Sequence, residues 1–137
     1  MHASLPDVDP LIAQLAAAIA PTLTPDTVIV GIHTGGVWVA ERLHALLGRK
    51  LPLGTLDISF YRDDFSRIGL HPQVKPSNLP FDLEGRDILL VDDVLHSGRT
   101  VRAAMNELFD YGRPASIRLA VLVDRGDRPL ALLGLDA

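Results

Sequence analysis

The chain has 137 residues, 47% hydrophobic and 22% charged, a size and composition suited to one globular domain with one core. It contains no cysteine, which excludes a disulfide framework and any thiolate metal site. The formal net charge of -4 argues against non-specific nucleic-acid binding. Met1 to Pro6 lack the basic and apolar regions of a signal peptide, and no apolar run approaches bilayer length. A cytoplasmic protein with no membrane contact is therefore expected.

Asp9 and Pro10 read as an N-cap and a first helical residue. Leu11, Leu15 and Ile19 follow at helical spacing, and Pro21 ends the run. Residues 27–32 form a β-branched strand that is apolar on both faces. A helix follows from about Gly36, with Val39, Leu43, Leu46 and Leu47 on one side and Gly48 as its stop. A strand is predicted over 54–61. Residues 62–80 hold two aspartates and three prolines with little core material, and read as one long surface loop. Residues 87–92 are a second buried strand. Residues 100–111 are a helix with Val101, Ala104, Met105, Leu108 and Phe109 on its apolar face. Gly112 and Pro114 stop it, and 116–123 is the last clear strand. Strands alternating with helices predict an α/β fold with a mostly parallel central sheet flanked by helices. Ligands of such sheets sit at the carboxyl ends of the strands.

Asp92 and Asp93 close the apolar strand, and a turn there can bring both carboxylates to one ligand, as acceptors for a vicinal diol. Val94 and Leu95 lead into His96-Ser97-Gly98-Arg99-Thr100, a short turn opening a helix. Its backbone N–H groups suit a phosphate, Gly98 permits close backbone approach, and Ser97 and Thr100 add hydroxyl donors. Diol acceptors beside a phosphate cradle describe a ribose 5-phosphate site. The acidic pocket of a phosphoacceptor receiver domain is the alternative, but it has no use for Ser-Gly-Arg-Thr. A Gly-containing strand-turn-helix without function is the other.

This run resembles the phosphoribosyl-diphosphate (PRPP) motif of type I phosphoribosyltransferases. Residues 30–36, 54–64 and 89–128 resemble, more narrowly, the PyrR family of pyrimidine operon regulators that are also uracil phosphoribosyltransferases. The resemblance implies the type I phosphoribosyltransferase fold and a glycosyl transfer in which uracil and PRPP give UMP and diphosphate. It implies that His33, Thr34, Gly35 and Gly36 form a diphosphate loop, although relatives often carry Arg where Gly35 stands. Residues 62–80 would be the catalytic loop that closes over PRPP, with Arg62 on the diphosphate and Asp63 and Asp64 on the loop surface. His96 either assists proton removal from uracil or only serves its turn. Trp38 reads as core or subunit interface, and Arg99 and Arg102 as phosphate or subunit contacts or as solvated helix residues. Mg2+ is implied as a cofactor arriving with PRPP, with no protein ligand assigned. Assembly as a homodimer or larger is implied as well.

Two departures shape the expectations. Residues 127–137 do not match the family's pattern, so a single domain over 1–137 with an atypical or truncated C-terminal end is expected, its base-recognition segment absent or replaced. The first helix carries no Lys or Arg, which disfavours the RNA binding of the regulators.

Overall fold

Strand β1 (Thr27–Ile32) is buried at every residue, as a β-branched run with apolar side chains on both faces requires. The computed structural model of the chain describes residues 8–33, 35–48, 50–58, 77–95, 98–124 and 131–135. β1 lies inside a five-stranded sheet with β2 (Leu53–Leu56), β3 (Asp87–Leu95), β4 (Ser116–Asp124) and β5 (Ala131–Leu135), in the order β2-β1-β3-β4-β5. β2, β1, β3 and β4 are mutually parallel, and β5 runs antiparallel on β4. This is the mostly parallel α/β architecture read from the sequence.

Side-chain alternation along the strands divides the core in two. On one face Val28, Val30, Ile88, Leu90, Ile117 and Leu119 pack with Ala104 and Leu108 of helix α3 (Gly98–Phe109). On the other, Ile29, Leu89, Val91 and Ala120 pack with helix α1 (Val8–Ile19) through Leu15 and Ile19, and with helix α2 (Gly35–Leu47) through Val39, Ala40 and Leu43. Arg42 joins these two helices, pairing with Asp9 at 3.1 Å and lying 4.6 Å over the Trp38 ring. Trp38 is 40% exposed, so it is not a core residue. Phe109, expected on the buried face of α3, is also 40% exposed because the helix ends there and the chain turns. No helix among the described residues is long and apolar enough to cross a membrane.

Several boundaries differ from expectation for physical reasons. β2 ends at Leu56, where its partner β1 ends opposite at Ile32, and residues 59–61 of the predicted strand lie outside the described residues. β3 continues past Asp92 to Leu95, held by β4 through the pairs Val94↔Val123 and Leu95↔Asp124. Residues 77–80 are not a free loop: Asn78 bridges antiparallel to Thr55, each N–H donating to the other's carbonyl at 2.8 and 2.9 Å. β5 was not predicted. Its short run of Ala, Leu and Gly has no alternation to mark it, and pairing with β4 makes it a strand. The atypical tail therefore still supplies a final strand.

Two glycines let α2 sit directly on the sheet. A Cβ on Gly31 would meet Ala40 Cβ, Gly36 O and Val37 Cα, all at 2.8 Å. A Cβ on Gly36 would press on the Val91 carbonyl oxygen and lie 2.9 Å from Asp92 Cα. Those obstacles are backbone and cannot rotate away. Gly36→Ala should therefore destabilise the fold by about 1–3 kcal/mol, the usual cost of overpacking. Urea unfolding measures this, and a loss below about 0.5 kcal/mol would show that α2 can lift off β3 at little cost.

Candidate functional site

The sheet has one point where successive connections leave toward opposite faces. After β1 the chain enters α2 on one face, and after β3 it enters α3 on the other. The β1–β3 ladder runs out at Gly31↔Val91, and from Asp92 onward the recorded partners of β3 all lie on β4. The carboxyl ends of β1 and β3 thus lie at a switch point, with the first turn of α2 against the end of β3. Open α/β sheets bind ligands at such switch points.

Asp92 and Asp93 stand at this position. β3 continues through the pair. The Asp93 carboxylate lies against Gly35 of α2, and the Asp92 carboxyl reaches it through a side-chain hydrogen bond. Each carboxylate accepts the next backbone N–H at 2.8 Å, Asp93 N–H to Asp92 Oδ1 and Val94 N–H to Asp93 Oδ1. The Asp93 carboxylate occupies the space into which a Gly35 side chain would project, so the acid is seated at the N-terminus of α2. Burial first, and the neighbouring Asp93 carboxyl second, push the Asp92 carboxyl up to about 7. At the opposite end of β3, Asp87 shows the reverse. Hydrogen bonds from the Thr24 and Ser116 hydroxyls, at 2.6 and 2.8 Å, hold its carboxyl below the ordinary range.

The two helix starts supply donors. The first N–H groups of a helix lack intrahelical partners and favour anions. Gly35 and Gly36 form the first turn of α2, and Gly98, Arg99 and Thr100 the first turn of α3. His33 is exposed at the end of β1, but its N–H donates to the Leu56 carbonyl at 2.8 Å and is already used. Val94 and Leu95, predicted as part of the phosphate loop, are strand residues paired with β4. Thr34, Arg62, Asp63, Asp64, His96 and Ser97 lie outside the described residues.

Sequence reasoning passed over one polar node. Ser77 and Glu107 are buried, 7% and 8% exposed, beside an otherwise apolar core. The Ser77 hydroxyl donates to Glu107 Oε2 at 2.9 Å and accepts the Asp57 N–H at 3.0 Å. A signal was present: Glu107 stands three residues after Ala104 and beside Leu108, on the face of α3 that should be apolar.

The phosphoribosyl transferase domain family matches this chain over residues 2–134. The chain belongs to the phosphoribosyltransferase family. Among curated relatives, the bifunctional protein PyrR of Pseudomonas entomophila (strain L48) is 59% identical over 133 residues, covering 93% of this chain and 77% of its own length. The bifunctional protein PyrR of Pseudomonas paraeruginosa is 56% identical over 133 residues, covering 94% and 78%. Solved phosphoribosyltransferases share the fold. A purine phosphoribosyltransferase from Pyrococcus horikoshii superposes with a TM-score of 0.63 at 29% identity, over 85% of this chain and 73% of that one. An orotate phosphoribosyltransferase from Aeropyrum pernix gives 0.61 at 22% identity, over 86% and 58%. The family match through residue 134 includes most of the tail and β5. This phosphoribosyltransferase is an enzyme of the glycosyltransferase class, on a PyrR-type chain.

The Asp92 shift has a consequence for stability. Its folded value, about 7, lies above the ordinary 3.8, so as pH rises the unfolded chain releases this proton first. Folding stability from this group therefore falls through that window and stays low above it. Asp92→Asn cannot ionise. Relative to the parent it should gain on the order of 1–2 kcal/mol between about pH 5 and pH 8, a figure reduced for the solvent screening of a half-buried group. Urea unfolding of both proteins at the two pH values checks this, and a stability difference independent of pH would overturn it.

Proposed function

We propose that this phosphoribosyltransferase converts uracil and PRPP to UMP and diphosphate. The observation that carries this reading is the seating of Asp92 and Asp93, at the carboxyl end of β3, against the first turn of α2 at the switch point, with α3 opening a few residues later in the chain. Two anion sites separated by a carboxylate pair match a molecule that carries a phosphate and a diphosphate on one ribose. In this reading the N–H groups around Gly98 to Thr100, with the Thr100 hydroxyl, hold the 5-phosphate. The first turn of α2, at Gly35 and Gly36, faces the diphosphate. Asp92 and Asp93 accept hydrogen bonds from the ribose hydroxyls, and Asp92 accepts more strongly when ionised, so PRPP binding weakens as pH falls below about 7 and Asp92 takes up its proton. Arg62, from the sequence pattern, pairs with the leaving diphosphate, and Ser97 and Arg99, reached from the strand residues Val94 and Leu95, complete the cradle. Catalysis is then positioning and charge stabilisation rather than covalent chemistry.

Hard oxygen donors at the pair suit Mg2+, which is commonly held by one or two carboxylates together with substrate phosphates. When bound with PRPP, the ion supplies neutralisation of leaving-group charge. Among the described residues no cluster of three or more His, Cys, Asp or Glu side chains is placed to hold a metal ion by itself.

A second, regulatory role is favoured by the relatives' name, bifunctional protein PyrR. In it the chain would sense UMP and bind pyrimidine-operon RNA. With no Lys or Arg in α1 and a net charge of -4, the catalytic role stands first. Homodimeric or larger assembly is proposed for either role.

Incubating the folded protein with uracil, PRPP and Mg2+ should yield UMP, and chelation should abolish it. No UMP above background from demonstrably folded protein counts decisively against the enzymatic reading. The double substitution Asp92→Asn with Asp93→Asn should weaken PRPP binding at least tenfold, about 1.4 kcal/mol, with unfolding still cooperative. Unchanged affinity by calorimetry would sink the assignment of the pair to the ribose.

A further inference from the structure

Four polar groups from three parts of the chain meet inside the α3 face of the core. The Ser77 hydroxyl binds Glu107 Oε2 and the Asp57 N–H at 2.9 and 3.0 Å. Tyr111 follows Glu107 by four residues. Burial and the Glu107 charge raise its hydroxyl's pKa, while a hydrogen bond with Ser77 lowers it. Around them lie Leu56, Ile58, Leu83, Ala104 and Leu108, all buried and apolar. Placing a carboxyl there costs free energy that an apolar side chain would avoid. Packing alone does not explain the choice.

What the node joins gives it a purpose. Asp57 and Ser77 flank the stretch that contains Arg62, the residue proposed above to pair with the leaving diphosphate. Asn78, next to Ser77, is already pinned to Thr55, next but one to Asp57. Glu107 lies two turns and more along α3 from Gly98, on the helix whose first turn faces the 5-phosphate. A single hydroxyl thus fixes both flanks against the helix that carries the phosphate cradle.

We propose that Glu107 is a positioning residue: through Ser77 it holds the flanks at Asp57 and Ser77 in register with α3, so that substrate groups bound from both sides meet in the right geometry. This rests on the phosphoribosyl transfer proposed above. A misplacement of about 1 Å in such a frame costs on the order of a hundredfold in rate while leaving binding at the distant cradle intact.

The experiment compares the parent with Glu107→Gln, Glu107→Leu and Ser77→Ala. It measures kcat and KM for PRPP with uracil, PRPP binding by calorimetry, and amide hydrogen exchange at Asp57 and Ile58. Glu107→Leu and Ser77→Ala should lower kcat at least tenfold with PRPP affinity within threefold of the parent. Glu107→Gln keeps an oxygen for the Ser77 proton and should retain most of kcat. Exchange at Asp57 should quicken at least tenfold in the two disruptive variants, with β1 and β3 amides still protected. A kcat within twofold of the parent in Glu107→Leu overturns the proposal, as does a parallel loss of kcat and PRPP affinity. If the parent itself makes no UMP, the uracil reading falls, and the exchange measurement alone then decides: a local opening at Asp57 supports the clamp, and unchanged exchange refutes it.

Discussion

Helix α2 rests on the backbone of β1 and β3 with no side chain between them at Gly31 and Gly36. That approach sets the height at which the helix starts, and so where its unpaired N–H groups point. It brings Gly35 against the Asp93 carboxylate and Gly36 against Asp92 Cα. The diphosphate-loop glycines were read from sequence as backbone donors for a ligand. Their structural requirement is equally direct, since any Cβ would separate the helix from the strand that carries the acids. One contact therefore serves packing and site together, since it brings the first turn of α2 to the carboxyl end of β3.

The two ends of β3 show how environment assigns a task to a residue type. Asp87 receives two hydroxyl donors and is held ionised, which ties the start of the strand to Thr24 and Ser116. Asp92, on the same strand, is half-buried beside a second carboxyl and is raised to about 7. The first arrangement stabilises the fold. The second costs stability at neutral pH, and such costs concentrate at functional sites. A ligand that donates hydroxyl hydrogens to the pair would offset that cost on binding.

Much of this was legible in the chain itself. The β1 and β3 cores announced themselves as β-branched or aliphatic runs without alternation, because strands covered on both faces need no polar side. The glycines before α2 and the Asp-Asp run before α3 marked the strand ends. Boundaries were less legible. β3 reads as ending at Asp92 because carboxylates rarely continue a buried strand, yet β4 continues alongside and supplies partners to Leu95. β5 has no periodic signal, and Asn78 becomes part of the sheet edge only because Thr55 is there to receive it. Glu107 was visible as a charge on an apolar face, but nothing local says that Ser77, 30 residues earlier, would be its partner.

The sequence by itself determined the α/β class and the strand-helix alternation, and it marked the Asp-Asp and Gly-containing strand ends as the candidate site, because these follow from side-chain periodicity and from short motifs whose chemistry is local. Only the tertiary structure decided that the Asp93 carboxylate sits against Gly35 at the start of α2, that the His33 N–H is used by Leu56, and that the flanks at Asp57 and Ser77 are fastened to α3. Each of these depends on a partner distant in the chain. Hydrogen-bond satisfaction and burial are settled by which segments the fold brings together, and no window of neighbouring residues contains that information.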